Sequence, residues 1–379
     1  MFIAAVCAPR MNVFCGSAIK HIVEAANPPP HPYRQVMIIT RILPADPAGI
    51  AESAAALATG GLVAFPTETV YGLGGDALNP AAVARIFAAK GRPAEDPLIV
   101  HLADMDDLPR VTAGLSSAAA LLAARLWPGP LTLILPRGPA VPRSVTAGRE
   151  TVAVRLPAHP VARALIAAAG TPIAAPSANR FGHTSPTSAA HVLADLEGRI
   201  DLILDGGPAT IGVESTILDL SGPVPTLLRP GGVSLEELRD LLGAVALGGR
   251  AAAPGGQLAP GMLDRHYAPQ STLHLCVGPP VACRAWLRDY AVAQIAAGRH
   301  VGLLLPDEDA ALLADLDADI EPLGPADDLN TIACRLYAAL RALDSRRPDL
   351  ILARDLGEGG IARAIRDRLT RAAGRVLHC

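Results

Sequence analysis

Short apolar runs alternating with amphipathic stretches begin at Met37. "MIITRIL" reads as a strand, and "PAGIAESAAALATGG" as a helix stopped by Gly60 and Gly61. "LVAF" is a short buried strand. Asn79 and Pro80 supply an N-cap and a first helical turn, and Val83, Ile86 and Phe87 give that helix one apolar face up to Lys90–Gly91. Strands follow at "PLIVHL", "LTLILP", "TVAVRLP", "TPIAAPSAN" and "DLILDGG", with helices at "SSAAALLAARLWPG" and "HPVARALIAAAG". "VESTILDLSGPVPTLLRPG" reads as two strands around a Ser-Gly-Pro turn, and "SLEELRDLLG" opens on a capping box of Ser234 and Glu237. Strands and helices mix without strict alternation, which predicts an α/β domain with a mixed, twisted sheet.

The pattern breaks at 244–271, where "LGGRAAAPGGQLAPGMLDRHYAPQS" is rich in Gly, Pro and Ala and has no period. It reads as an interdomain linker. "APGMLDRHYAP" within it is too specific for a plain spacer. From 272 a second α/β pattern runs to the end: "TLHLCVG", a helix around 280–297, "VGLLLP", a helix around 329–342, "DLILARD", and a last helix from Gly359. The expected organisation is therefore an extension over 1–36, a first domain over 37–243, the linker over 244–271 and a second domain over 272–379. Residues 1–36 contain "NPPPHPYR" and no period, and read as a disordered extension ahead of a start at Met37.

Composition agrees with two domains: 379 residues exceed what one core usually organises. Half the residues are hydrophobic, 18% are charged and the formal net charge is −3. That profile excludes a disordered chain and gives no support for a broad nucleic-acid or membrane surface. No uninterrupted apolar run reaches the ~18 residues of a membrane span. Cys7, Cys15, Cys276, Cys283, Cys334 and Cys379 form no C-x-x-C pair, so a zinc site is not expected. They read as small core residues of a protein in a reducing cytoplasm. Lysine occurs only at Lys20 and Lys90, which sets Lys90 apart.

Several strand ends carry candidate chemistry. "GLGGDA" (72–77) is a loose dinucleotide fingerprint, but "PTETVY" stands between it and the preceding strand, and the helix starts only near Pro80. "LGEGGIA" (356–362) has the same look and fits a tight turn. No G-x-x-x-x-G-K-[ST] loop is present. "KGRPAEDPL" places Lys90 and Arg92 past a helix C-terminus, where cations complement the helix dipole. Its Pro93 and Pro97 would also stiffen a phosphate clamp. "RLPAHP" ends an apolar strand on Arg155, "APSANRFGHTSPT" supplies Ser177, Asn179, Ser185 and Thr187, and "GVEST" and "LLRPG" add Ser215, Thr216 and Arg229. Each alone fits a turn or a capped strand end. Together these hydroxyls and cations suit phosphate or carboxylate oxygens.

"FPTETVYGLGGDA", "KGRPAEDPLIVH", "WPGPLT", "TVAVRLPAHP", "APSAN", "SPT", "GVESTI" and "LLRPG" follow one another as in the YrdC-like domain, which this chain resembles from about Met37 to Gly243. The family is that of the L-threonylcarbamoyladenylate synthases. "APGMLDRHYAP" resembles the linker of its two-domain type, and "GGIARAIRDRLTRAA" the end of its C-terminal domain. The resemblance implies a twisted mixed α/β sheet with a concave, positively lined cleft, a smaller Rossmann-like C-terminal domain, and a linker crossing the active site. It implies a reaction of L-threonine, bicarbonate and ATP that gives L-threonylcarbamoyladenylate and pyrophosphate. A partner machinery then transfers the threonylcarbamoyl group to an adenosine beside the tRNA anticodon.

Carried over by motif, Thr69, His101, Arg155, Ala175 and Ser215 would hold threonine, with Arg155 on its carboxylate. Lys90, Arg92, Asp96, Thr151, Ser177, Ser185, Arg229 and Tyr267 would hold ATP. Lys90 and Arg92 would act catalytically, Lys90 as a charge placed for the transition state. Mg²⁺ would bind through the ATP phosphates and not through protein ligands. The family implies a cytoplasmic protein without membrane contact and a weak contact to tRNA or double-stranded RNA. Asp96 departs from the expected pattern, which more often has an uncharged polar residue such as asparagine. A carboxylate there would repel the triphosphate unless metal-bound or paired.

Two rival readings remain. A non-enzymatic RNA-binding module would share the cationic cleft, but the net charge of −3 and 3% aromatic content weigh against it. The carbamoyl transferase of hydrogenase maturation carries a related domain, in a longer chain with C-x-x-C pairs that are absent here.

Overall fold

The computed structural model describes residues 38–248, 259–261 and 266–379. The expected extension at 1–36 and half of the central linker, 249–258 and 262–265, lie outside the described residues. The first sheet contains β1 (Arg41–Pro44), β2 (Val63–Phe65), β3 (Gly72–Asp76), β4 (Ile99–His101), β5 (Leu131–Pro136), β6 (Thr151–Arg155), β7 (Ile173–Ala174), β8 (Leu202–Asp205), β9 (Thr216–Asp219), β10 (Thr226–Arg229) and β11 (Ala246–Leu247). Their order is β1-β8-β2-β3-β7-β4-β6-β5-β9-β10-β11. Parallel and antiparallel pairs alternate irregularly, as in β4 with β6 and β5 with β6. The helices are α1 (Pro47–Ala58), α2 (Pro80–Lys90), α3 (Leu108–Val111), α4 (Ser117–Leu126), α5 (Pro160–Ala169), α6 (Ala189–Leu196) and α7 (Leu235–Leu242).

Their ends follow local chemistry. The Asn79 side chain accepts from Ala81 N at 2.9 Å, with Pro80 in the first turn of α2 and Gly91 as a left-handed C-cap. Ser234 Oγ accepts from Glu237 N at 3.1 Å and starts α7. A continuous core joins β3, β4, β5 and β6 to α2 and α4 through Leu73, Val100, Leu133, Val154, Ile86 and Leu122, all fully buried.

The second sheet is β12 (Thr272–Val277), β13 (Val301–Leu305), β14 (Asp319–Pro322), β15 (Leu350–Arg354) and β16 (Arg375–His378), in the order β14-β13-β15-β12-β16. All its pairs are parallel. Its helices are α8 (Pro280–Ala296), α9 (Asp307–Leu312), α10 (Leu329–Ser345) and α11 (Ala362–Ala372). This is the mixed α/β fold with a second, Rossmann-like α/β unit that the sequence predicts.

Several details differ from the sequence reading. The glycines of "GLGGDA" form β3, antiparallel to β2, and do not make a turn. A Cβ on Gly74 would lie 2.8 Å from the Phe65 ring and 2.9 Å from Ile173, so close strand packing accounts for that glycine. Ala246–Leu247 pairs with β10, so the first sheet extends into the expected linker. Strands β14 and β16 were not expected, and the last helix starts at Ala362 and not at Gly359. Cys276 and Cys379, expected as separate core thiols, are joined in a disulfide because β12 and β16 are neighbouring strands. Cys283 completes a group whose three sulfurs lie within 4.8 Å of one another, which spacing along the chain did not suggest.

The two sheets meet through the "GVEST" loop. Gly212 has φ +80° and faces α10, where a Cβ would come within 2.3 Å of Ala333 O. Arg341 of α10 binds Asp195 of α6 at 2.7 Å and donates to the Thr184 carbonyl. Among the described residues, no helix is long and apolar enough to cross a membrane.

Candidate active site

Strand ends and loops of the first sheet converge on a cavity lined by Thr69, Arg92, Arg155, Ser215, Arg229 and Tyr267. The loop after β2 forms one wall. Thr67 Oγ1 donates to Val70 O at 2.5 Å and lies 2.8 Å from Thr69 Oγ1. Tyr71 anchors the loop by donating to Gly207 O at 2.7 Å, and Ile211 N donates to Glu68 O. The four polar residues of this stretch therefore shape a rigid turn, with Thr67 and Thr69 facing the cavity.

Arg155 emerges from the buried end of β6. It donates to Thr69 Oγ1 at 2.9 Å and to Gly129 O at 3.2 Å, and pairs with Glu68 at 2.7 Å. Ala158 N also donates to Glu68. Burial raises the Glu68 pKa, but the Arg155 charge and these hydrogen bonds outweigh it and leave it below the ordinary value. Glu68 thus orients Arg155, a role the sequence reading did not assign.

Arg92 follows the Gly91 cap and is wrapped by its own loop. It donates to Asp96 O and Pro97 O at 3.0 and 2.7 Å and pairs with the Asp96 carboxylate at 3.0 Å. Burial raises the Asp96 pKa against the pull of Arg92 and Lys90. The unexpected carboxylate at 96 is therefore paired with its own motif's arginine, which offsets part of the cost of burying it.

Across the cavity, Arg229 at the end of β10 donates from Nε and Nη2 to Ser215 O at 3.1 and 2.9 Å, and to Ser215 Oγ at 3.1 Å. Ser215 Oγ also lies 2.8 Å from Thr132 Oγ1. Tyr267 closes this end with φ +61°, nearly complete burial and a hydroxyl that has no hydrogen-bond partner among the described residues.

Of the residues named from sequence, Thr69, Arg92, His101, Arg155, Ala175, Ser177, Ser215, Arg229 and Tyr267 line the cavity. Lys90, Asp96, Thr151 and Ser185 do not. Lys90 Nζ lies behind the wall and donates to Ser177 O and Asn179 O, both at 2.5 Å. Burial, with Arg92 nearby, lowers its pKa well below the ordinary value. Ser185 Oγ donates to Glu214 at 2.6 Å. Thr151 sits at the far end of β6 from Arg155, about 13 Å along an extended strand. Glu214 and His266 line the cavity without having been singled out. The acid of "GVEST" lies between Val213 and Ser215, and the histidine directly precedes Tyr267. Those neighbours were the available signals.

Glu68, Asp96 and Glu214 each face an arginine: Arg155, Arg92 and Arg368. This donor set does not fit a protein-ligated cation. No serine lining the cavity hydrogen-bonds a histidine among the described residues, so the walls offer charge and position but no activated nucleophile.

Burial, with Arg155 adding repulsion, lowers His101 from 6.5 to about 3. Burial and then Arg92 bring His266 to about 3 as well. Both bind fewer protons folded than unfolded, so their stability contribution is complete above pH 6.5 and is lost as pH falls toward 3. Each should cost about 1.4 kcal/mol per pH unit in that window. Melting temperatures between pH 7 and 5 should therefore fall on acidification, and His101→Gln should flatten the slope. His266 and the half-buried His191, at about 4, leave a residual slope. An unchanged slope in the variant would refute this account.

Such a cavity defines an enzyme that joins charged small molecules by positioning and electrostatics, on a two-domain α/β frame. Residues 55–231 match the family described as "Telomere recombination", and residues 233–374 match "Threonylcarbamoyl-AMP synthase, C-terminal domain". The threonylcarbamoyl-AMP synthase of Bacillus subtilis (strain 168) is 46% identical over 328 residues, covering 86% of this chain and 93% of the relative. That of Pyrococcus abyssi (strain GE5 / Orsay) is 45% identical over 319 residues, covering 83% and 91%. The crystal structure of P. abyssi Sua5 complexed with L-threonine is similar with a TM-score of 0.84 at 42% identity, over 90% of this chain and 99% of that one. The chain belongs to the threonylcarbamoyl-AMP synthase family. Its activity is the synthesis of threonylcarbamoyl-AMP.

Proposed function

We propose that L-threonine, bicarbonate and ATP meet in this cavity. The observation that carries the nucleotide side is Arg229. It is buried, its hydrogen bonds go to Ser215 and the Pro260 carbonyl, and it has no carboxylate partner among the described residues. Burial lowers its pKa, and a bound anion would relieve that cost. The unpartnered Tyr267 hydroxyl beside it is a donor suited to a phosphate oxygen. Arg92, Ser177, Arg229 and Tyr267 form the nucleotide end, braced from behind by Lys90, Asp96 and Ser185. Thr69, His101, Arg155, Ala175 and Ser215 form the amino-acid end. The P. abyssi relative complexed with L-threonine supports threonine as the amino-acid substrate.

The amine of threonine adds to CO₂ derived from bicarbonate and loses a proton, giving a carbamate. A carbamate oxygen attacks the α-phosphorus of ATP in line, and pyrophosphate leaves with the electron pair of the broken P–O bond. The arginines neutralise the accumulating charge, and His101, neutral at pH 7, adds none. Mg²⁺ enters as the counterion of the ATP substrate. The first domain acts as the catalytic domain, the described linker residues Pro260, Gly261, His266 and Tyr267 line its cleft, and 272–379 closes it. The product supplies a cytoplasmic transfer machinery that modifies the adenosine beside the tRNA anticodon. Mixing the protein with ATP, Mg²⁺, bicarbonate and threonine should yield the adenylate by mass spectrometry, with stoichiometric pyrophosphate. Absence of both from folded protein would overturn the reading.

A further inference from the structure

The largest fully buried side chain of the described residues is Arg368, on α11 of the second domain, far in sequence from every motif of the site. Its Nε donates to Glu214 Oε2 at 2.7 Å. Its Nη2 donates to Pro230 O at 3.0 Å, one residue beyond Arg229. Its guanidinium lies over the Tyr267 ring, 4.9 Å from the centroid. One side chain of the second domain thus reaches two residues of the cavity wall, Glu214 and Tyr267, and the carbonyl next to a third, Arg229. Tyr337 of α10 adds a hydroxyl that donates to Glu214 at 3.0 Å, and its ring stacks on Tyr267 at 6.0 Å.

Glu214 is the carboxylate among these that lines the cavity. Burial alone would raise its pKa, yet Arg368 first, then Arg229 and the Ser185 hydrogen bond, bring it to about 2. It is therefore ionised at neutral pH, and an unopposed anion there would repel a triphosphate.

We propose that Arg368 is a positioning residue for the transfer reaction: the second domain supplies, through this guanidinium, the charge that neutralises Glu214 and the platform that holds Tyr267 over the nucleotide end of the cavity. The inference rests on the proposed placement of ATP. It assigns the second domain an electrostatic part in catalysis in addition to closure.

The geometry demands the fork and not merely a positive charge. Three nitrogens point in fixed directions, to Glu214, to Asp367 at 2.6 Å and to Pro230. A lysine would carry the charge without this pattern.

In the full chain, Arg368→Met should raise the KM for ATP at least about tenfold, the scale of a buried charge left unpaired. The KM for threonine should change far less. Adding Glu214→Gln should recover most of the ATP affinity, because the uncompensated charge is then gone. Arg368→Lys should fall between wild type and Arg368→Met, and it serves if the methionine variant fails to fold. Melting curves identify the folded variants. Equal shifts in both KM values, no shift, or no recovery in the double variant would overturn the inference. Calorimetry with ATP alone separates the two levels. If the wild type does not bind ATP, the reading of the cavity fails; if wild type and Arg368→Met bind it equally, only the role of Arg368 fails.

Discussion

Arg155→Ala should raise the dissociation constant for threonine by roughly thirtyfold or more while leaving ATP affinity nearly unchanged. The estimate is the ~2–5 kcal/mol that follows loss of one member of a desolvated charge pair, converted at about 1.4 kcal/mol per decade. Arg155 is held on three sides, by Glu68, Thr69 and the Gly129 carbonyl, so little ordering remains to be done when a carboxylate arrives. The same contacts make the substitution costly for folding. Alanine would leave Glu68 buried with the Ala158 N–H as its remaining donor. An orphaned buried charge costs about 3–5 kcal/mol.

The pH dependence carries the same signature. The Glu68 pKa is lowered in the folded wild type, so its contribution is present above the ordinary 4.5 and is lost as pH falls through the folded value. In Arg155→Ala, desolvation acts unopposed by the arginine, and acid should instead relieve the strain. Arg155→Lys should retain the charge, lose the bidentate fork and bind threonine at an intermediate strength. Calorimetric titration of folded protein, confirmed by a melting curve, decides. Threonine affinity unchanged from wild type would end this assignment.

The strand-end arginines were legible because the chain marks them locally. "TVAVR" and "TLLR" are apolar runs that stop on a cation, and β6 and β10 end at Arg155 and Arg229. Asn79, Gly91 and Ser234 likewise reveal helix ends through their own capping chemistry. "GLGGDA" looks like a dinucleotide turn for a physical reason. Glycine permits a turn, but it also permits a strand to approach Phe65 and Ile173 more closely than any Cβ would allow. Only the neighbours decide between those uses.

Charge compensation was the least legible feature. Glu68 and Arg155 lie 87 positions apart, and Glu214 and Arg368 lie 154 apart. No local period encodes either pair. Asp96 shows the converse. Its partner Arg92 is four residues away, yet the carboxylate looked hostile to a triphosphate until the loop was seen to fold back on itself. The second domain's part in the site was hidden for the same reason: α11 reads as an ordinary amphipathic helix, and the burial of Arg368 arises from packing against "GVEST".

Lys90→Ala should lower kcat/KM for ATP by roughly a hundredfold or more, with both kcat and KM affected. As a direct stabiliser of the transition state, Lys90 would change kcat alone and leave ATP binding and melting temperature intact. As a mere dipole cap, its loss would cost about 0.3–1 kcal/mol of stability and leave turnover normal. The geometry favours a third outcome. The ammonium lies behind the cavity wall and holds the carbonyls of Ser177 and Asn179, two residues of the loop whose Ser177 lines the cavity. Removing it leaves two buried acceptors with a lost donor, each costing about 1–3 kcal/mol unless water replaces it. The loop should then shift, and a displacement of about an ångström at a positioning group is enough to cost on the order of 10²-fold. Lys90→Arg should not restore the loop, because the site is fully enclosed and Arg92 already lies nearby. Lys90→Met, close in volume and without the ammonium, should resemble alanine in its kinetics while losing less stability. Steady-state kinetics, ATP titration and melting curves on the three variants separate the readings. A fall in kcat alone would place the charge at the reaction centre, whereas normal turnover with a lower melting temperature would make Lys90 only a helix cap.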